Sequence, residues 1–115
     1  MSNLRLYSIF HLNLAYSSIP ESKRAEVIQR CFWPLLRLAT EDNIPIAIEA
    51  PAYTLEVADK LDSKWVHELK KAIFSKKVEF LGSGYSQLIA PIAPADVNVW
   101  NLQNGIKVYK ELLNF

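Results

Sequence analysis

Short, nearly continuous apolar runs alternate along this chain with longer segments whose apolar residues recur at helical spacing. Such runs are typical of strands buried in a parallel sheet. They predict strands over 4–14, 44–50 and 78–81. The helical spacing predicts helices over about 21–39, 54–61, 63–73 and 95–113. Because strands and helices alternate, the pattern indicates an α/β fold with a parallel sheet and right-handed crossovers.

Cap and breaker residues divide the helical segments further. Ser18 followed by Glu21 matches a capping box, and Pro34 should kink or split the first helical region. Asp62 is placed to cap a new helix in the middle of the second region. The turn Gly82–Gly84 is expected to be flexible. The inner face of the last helix is expected to consist of Val99, Leu102, Ile106, Tyr109 and Leu113.

Three strand–helix units account for the whole 115-residue chain, which is treated as one domain over 1–115. A closed eight-unit barrel typically takes about 250 residues. Three strands by themselves leave two sheet edges without partners, and exposed edges favour association. We therefore expect three βα units of a larger α/β barrel, completed by a further barrel segment or by self-association.

Composition and charge narrow the range of partners. The formal net charge is +1 with 22% charged residues, so we expect neither nucleic acid nor membrane as a partner. Cys31 is the only cysteine, which is compatible with a cytoplasmic protein, and its apolar neighbours predict a buried packing role. The two histidines have no metal-site spacing, and the sequence predicts no metal and no cofactor.

Polar and aromatic residues gather where the three predicted strands end. Ligands of parallel α/β folds bind at the carboxyl ends of the strands. The residues expected to contact a substrate there are His11, Asn13, Glu49, Tyr53, Ser83, Tyr85 and Gln87. His11 and Asn13 share a parity and so point to the same side of the sheet. Two interpretations stay open: His11 binds ligand or is a hydrogen-bonded structural residue, and Glu49 is functional or pairs with a helix-borne cation.

Several motifs carry a family resemblance that extends over nearly the whole chain. These are the segments 10–14, 49–56, 79–87 and 89–98, and the stretch 79–101 is the most specific of them. They resemble the N-terminal part of the glycoside hydrolase family 57 catalytic domain, and more closely its polysaccharide-deacetylase-like branch. Asn13 and Gln87 stand where many members of that family have histidines.

The resemblance implies an incomplete TIM-like (β/α)7 barrel that acts with retention on α-linked glucans or related sugars. It places the family's catalytic carboxylate pair on later strands, so it implies no catalytic residue within 1–115, only substrate-binding residues. Two functions are therefore expected: part of a glycoside hydrolase or glucanotransferase, or a non-catalytic carbohydrate-binding or interaction module. A metal-dependent deacetylase is disfavoured because no Asp-His-His set is evident.

Overall fold

The computed structural model describes residues 3–114. The chain forms a mixed α/β fold with a three-stranded parallel sheet and helices between the strands. Its strands and helices are β1 (Ile9–His11), α1 (Arg24–Val27), a π-helical turn (Ile28–Phe32), α2 (Trp33–Thr40), β2 (Ile46–Ala50), α3 (Ala52–Phe74), β3 (Val78–Gly82) and α4 (Ala95–Leu113). Two short 3-10 turns span Glu21–Lys23 and Ala90–Ile92.

The strands lie in the order β1-β2-β3, so neighbours in sequence are neighbours in the sheet. Both strand pairs are parallel, as the sequence predicts. Consecutive right-handed crossovers place every intervening helix on the same face of a sheet. The burial pattern fits this arrangement, because Ile46, Ile48 and Ala50 of β2 are buried, whereas Ala47 and Glu49 on the opposite face are only half-buried. The sheet thus has one helix-covered face and one open face.

The hydrophobic core lies between the helices and the covered face of the sheet. Its largest fully buried side chains include Leu14, Ile28, Leu36, Ile48, Leu55, Trp65 and Leu69. Trp65 packs its ring against Phe32 with the centroids 5.1 Å apart. Burying side chains of this size stabilises a fold by about 1.5–3 kcal/mol each. The core therefore fixes α2 and α3 against the sheet.

The predicted break near Pro34 is present, but it takes the form of a π-helical turn over Ile28–Phe32 just before the proline. The extra residue of that turn accommodates the missing backbone donor. The capping box is wrong, since Ser18 does not cap the segment that begins at Glu21. Asp62 does interrupt α3 with non-helical dihedral angles, and its Oδ1 accepts a hydrogen bond from the Trp65 amide as predicted.

Other predictions of burial were wrong. The first strand is shorter than 4–14, and its three residues are exposed, although Leu12 and Leu14 just beyond it are buried. Cys31 is exposed. Helix α4 has the predicted bounds, and Tyr109 and Leu113 are buried as predicted, but the rest of its buried face is made of Asn101, Gly105 and Val108. On the rest of α4, Val99, Leu102 and Ile106 are about half exposed. Burial on this helix follows its contacts with the loop after β3, which spacing alone does not reveal.

Candidate functional site at the carboxyl end of the sheet

A histidine–carboxylate pair lies on the open face where β1 and β2 end. His11 and Glu49 are register partners in neighbouring parallel strands, so both side chains point to the same side. His11 Nδ1 is hydrogen-bonded to Glu49 Oε2, which fixes the orientation of the ring and leaves Nε2 available for a further contact. Glu49 is thus paired with a strand histidine and not with a helix-borne cation.

The pair borders a shallow cavity that also includes residues from the segment after β3. The cavity has a volume of about 330 Å³ and is lined by His11, Glu49, Ser83, Gln87 and Leu88. Four of these five side chains can donate or accept hydrogen bonds. The strand ends therefore bring His11, Glu49, Ser83 and Gln87 together, as the topology argument predicts.

Asn13 has a local role that also connects two parts of the site. Its Oδ1 accepts hydrogen bonds from the amides of Ala15 (3.1 Å) and Tyr16 (2.9 Å), which shapes the turn after β1. Its Nδ2 donates to Gln87 Oε1 at 2.6 Å and so joins this turn to the segment after β3. Asn13 and Gln87 thus meet directly, although 74 positions separate them in sequence.

Helix α4 fastens the segment after β3 through two buried side chains. The Tyr109 hydroxyl accepts a hydrogen bond from the Ser83 amide (3.1 Å), and its single proton is shared between the carbonyls of Ala50 (2.8 Å) and Gly84 (2.9 Å). Burial raises the pKa of this hydroxyl, so it remains a neutral donor. Asn101 Oδ1 accepts from the Ser86 amide at 2.7 Å, and its Nδ2 donates to the Ser86 carbonyl at 3.1 Å.

All three glycines of the chain serve this contact between α4 and the loop. A Cβ atom at Gly105 would lie 2.6 Å from the carbonyl carbon of Gly84, and one at Gly82 would lie 2.7 Å from the Tyr109 ring. Gly84 also has a φ of 116°, which side-chain-bearing residues rarely adopt. The turn predicted to be flexible is therefore held by close packing. Helical spacing correctly predicted that Tyr109 is buried, whereas the sequence offered no signal for Asn101 beyond its placement on a helix.

Tyr53 and Tyr85 contact each other and do not line the cavity. Their ring centroids are 5.8 Å apart, at the start of α3 and in the loop after β3. The Tyr85 hydroxyl donates to Glu56 Oε2 at 2.9 Å. Partial burial, followed by this hydrogen bond to a carboxylate, raises the pKa of Tyr85 to about 12. These two predicted site residues thus lie beside the cavity and not within it.

Comparisons of this chain with protein-family models, with curated proteins and with solved structures found no match. Within residues 3–114, no group of three or more His, Cys, Asp or Glu side chains is placed to hold a metal ion. No helix in that part of the chain is both long and apolar enough to cross a membrane. The cavity itself offers the Ser83 hydroxyl and the Gln87 amide beside one histidine–carboxylate pair.

Proposed function

We propose that this chain contributes three βα units to an incomplete TIM-like (β/α)7 barrel of a carbohydrate-active enzyme. The enzyme would be a retaining glycoside hydrolase or glucanotransferase that acts on α-glucan-type polysaccharide, as the resemblance to glycoside hydrolase family 57 implies. Support comes from the consecutive strand order, because barrels pair successive strands and keep all helices outside. The open face of the sheet corresponds to the interior of such a barrel.

One observation carries the role in substrate binding: His11, Glu49, Ser83 and Gln87 line one cavity at the carboxyl ends of the strands. A saccharide is uncharged and presents many hydroxyl groups, each able to donate and to accept. Fixed side chains that offer both kinds of partner match such a ligand, and ligand sites in parallel α/β folds lie at this end. The chain would bind substrate without supplying the catalytic carboxylates.

The remaining barrel would be completed by another segment or by a second copy of the chain. Ile9 of β1 is 62% exposed, and Leu81 of β3 also points to the open face with substantial exposure. The outer edges of β1 and β3 pair with no strand among the described residues. Unpaired edges and an uncovered apolar face favour association with further strands.

A second candidate is a non-catalytic carbohydrate-binding or interaction module. The observation that favours it is the presence of a single carboxylate, Glu49, among the residues that line the cavity. Retaining hydrolysis needs two carboxyl groups about 5–5.5 Å apart on either side of the scissile bond. The two candidates are distinguished by assaying glucan hydrolysis after this chain is combined with the remaining barrel segment. Hydrolysis supports the enzyme, and glucan binding without hydrolysis supports the non-catalytic module.

The test of the shared premise is binding of an oligomeric α-glucan, measured by titration calorimetry with maltoheptaose and the 115-residue chain. We expect saturable binding that His11→Ala or Glu49→Gln weakens by roughly tenfold, equivalent to about 1.4 kcal/mol. His67→Ala is the matched control, because His67 is an exposed histidine on α3 outside the cavity. Absence of binding, or affinity that is unchanged in both cavity variants, would refute the proposal.

A further inference from the structure

A continuous series of four aromatic rings begins beside the cavity and runs to the exposed surface of α4. These rings, here called the aromatic row, belong to Tyr16, Tyr53, Tyr85 and Trp100. Successive ring centroids are 6.5, 5.8 and 6.1 Å apart. Each ring meets its neighbour in a tilted or edge-to-face geometry, which is the preferred packing of aromatic pairs. The rings therefore support one another and form a fixed surface.

The aromatic row is joined to the cavity through its first member. The Tyr16 hydroxyl donates a hydrogen bond to Ser86 Oγ at 2.7 Å. Ser86 directly precedes Gln87, which lines the cavity. Asn13 Nδ2, which also bonds Gln87, donates to the Tyr16 carbonyl at 3.1 Å. A ligand that leaves the cavity past Gln87 would meet Tyr16 next.

The two ends of the aromatic row remain open to solvent. Tyr16 is 47% exposed and Trp100 is 56% exposed, whereas Tyr53 and Tyr85 between them are half-buried. Polar atoms accompany the rings, because the Tyr85 hydroxyl and the Glu56 carboxylate are hydrogen-bonded to each other on the same surface. The row therefore combines two exposed aromatic side chains at its ends with phenol hydroxyl and carboxylate groups along its course.

We infer that the aromatic row is a distal binding surface for sugar units beyond those in the cavity, so that the ligand is an oligosaccharide chain. This inference rests on the proposed function. A pyranose ring has an apolar face of C–H groups and a rim of hydroxyl groups. The apolar face packs on an exposed aromatic ring, while the hydroxyl groups bond to neighbouring phenol and carboxylate oxygens.

A saccharide fits the aromatic row better than a protein segment does. An apolar peptide would use the exposed stripe of Val99, Leu102 and Ile106 on α4, none of which lines the cavity. The aromatic row instead leads toward the cavity and carries hydroxyl groups along its course. Continuity with the cavity and mixed polarity together select a sugar chain as the occupant.

The experiment compares a short and a long α-glucan, because only the long one can reach Trp100. Affinities for maltose and maltoheptaose are measured by titration calorimetry for the wild type, Trp100→Ala and Trp100→Gln. We expect both substitutions to weaken maltoheptaose binding by roughly tenfold and to leave maltose binding within about twofold. Trp100→Phe, which keeps an aromatic ring, should retain most of the wild-type affinity for maltoheptaose. Phe74→Ala is the control, since Phe74 is an aromatic residue that is 90% exposed and lies at the end of α3 opposite to Tyr53.

The outcomes separate this inference from the proposed function. Selective loss of maltoheptaose affinity in the Trp100 variants, with no effect of Phe74→Ala, supports the aromatic row. If the Trp100 variants bind both sugars with unchanged affinity, or lose affinity equally for both, the inference of a distal surface is overturned. The proposed binding site at His11 and Glu49 is not affected by that result. If neither sugar binds the wild type, the proposed function fails and the distal surface fails with it.

Discussion

The Tyr109 hydroxyl offers the sharpest test of how the candidate site is held. Tyr109→Phe removes one oxygen and keeps the ring, which packs edge-to-face on Phe80 with centroids 5.4 Å apart. The substitution leaves the Ser83 amide without its acceptor and the Ala50 and Gly84 carbonyls without this donor. Because Ala50 and Gly84 are buried, water cannot readily replace the lost hydroxyl.

The expected loss of stability follows from these contacts. A buried hydrogen bond contributes about 1 kcal/mol net, and leaving a buried group unsatisfied costs about 1–3 kcal/mol. One donated and one accepted bond are lost, while Gly84 O keeps its second bond from the Ala52 amide at 2.8 Å. We therefore expect Tyr109→Phe to lower the free energy of unfolding by about 2 kcal/mol.

Urea denaturation followed by far-ultraviolet circular dichroism measures this change. For a small domain with a slope of about 1–3 kcal/mol per molar urea, the transition midpoint should fall by about 1 M with the slope unchanged. Tyr16→Phe is the matched control, because it also removes a bonded hydroxyl but at an exposed position, and it should shift stability by less than about 0.5 kcal/mol. A Tyr109→Phe protein as stable as the wild type would contradict the proposed role of α4 in holding the loop.

Three further perturbations test other parts of the molecule. Gly105→Ala should lower the free energy of unfolding by about 2 kcal/mol in urea, since overpacking against the Gly84 backbone outweighs the gain in helix propensity; a stabilised variant would show that α4 is less closely packed there. The pKa of Tyr85 is raised from 10.0 to about 12, so the neutral phenol contributes stability that is complete below about pH 10 and is lost as the pH rises through 12. Tyr85→Phe should therefore weaken the dependence of unfolding on pH between 10 and 12, and identical pH profiles of the two proteins would disprove the shift. The isolated chain should self-associate in sedimentation velocity, and Ile9→Lys on the open edge should shift it toward the monomer; a monodisperse wild-type monomer would count against the open edges.

Much of the candidate site follows from strand topology alone. Residues that end parallel strands must meet at one edge of the sheet, so the proximity of His11, Glu49 and Ser83 could be predicted without coordinates. The pairing of His11 with Glu49 needed the register, because a shift of one residue would have moved Glu49 to the helix-covered face. The structure thus excludes one of the two interpretations of Glu49, the ion pair with a helix-borne cation, because the carboxylate pairs with His11 instead.

The burial of residues that contact a part of the chain distant in sequence could not be predicted in this way. The periodicity of α4 selects Val99, Leu102 and Ile106 for the core, yet these side chains are half exposed. Besides the predicted Tyr109, the helix buries Asn101 and Gly105 against the loop after β3, where hydrogen bonds and close backbone approach outweigh hydrophobicity.

The sequence by itself determined the order of strands and helices, the bounds of α4 and the interruption of α3 at Asp62, because each depends on contacts within a few residues. Only the tertiary structure decided which face of α4 is buried, how Asn13 meets Gln87 and where the aromatic row runs. These features join residues far apart in the chain, and their geometry is set by packing across elements, which local patterns do not encode.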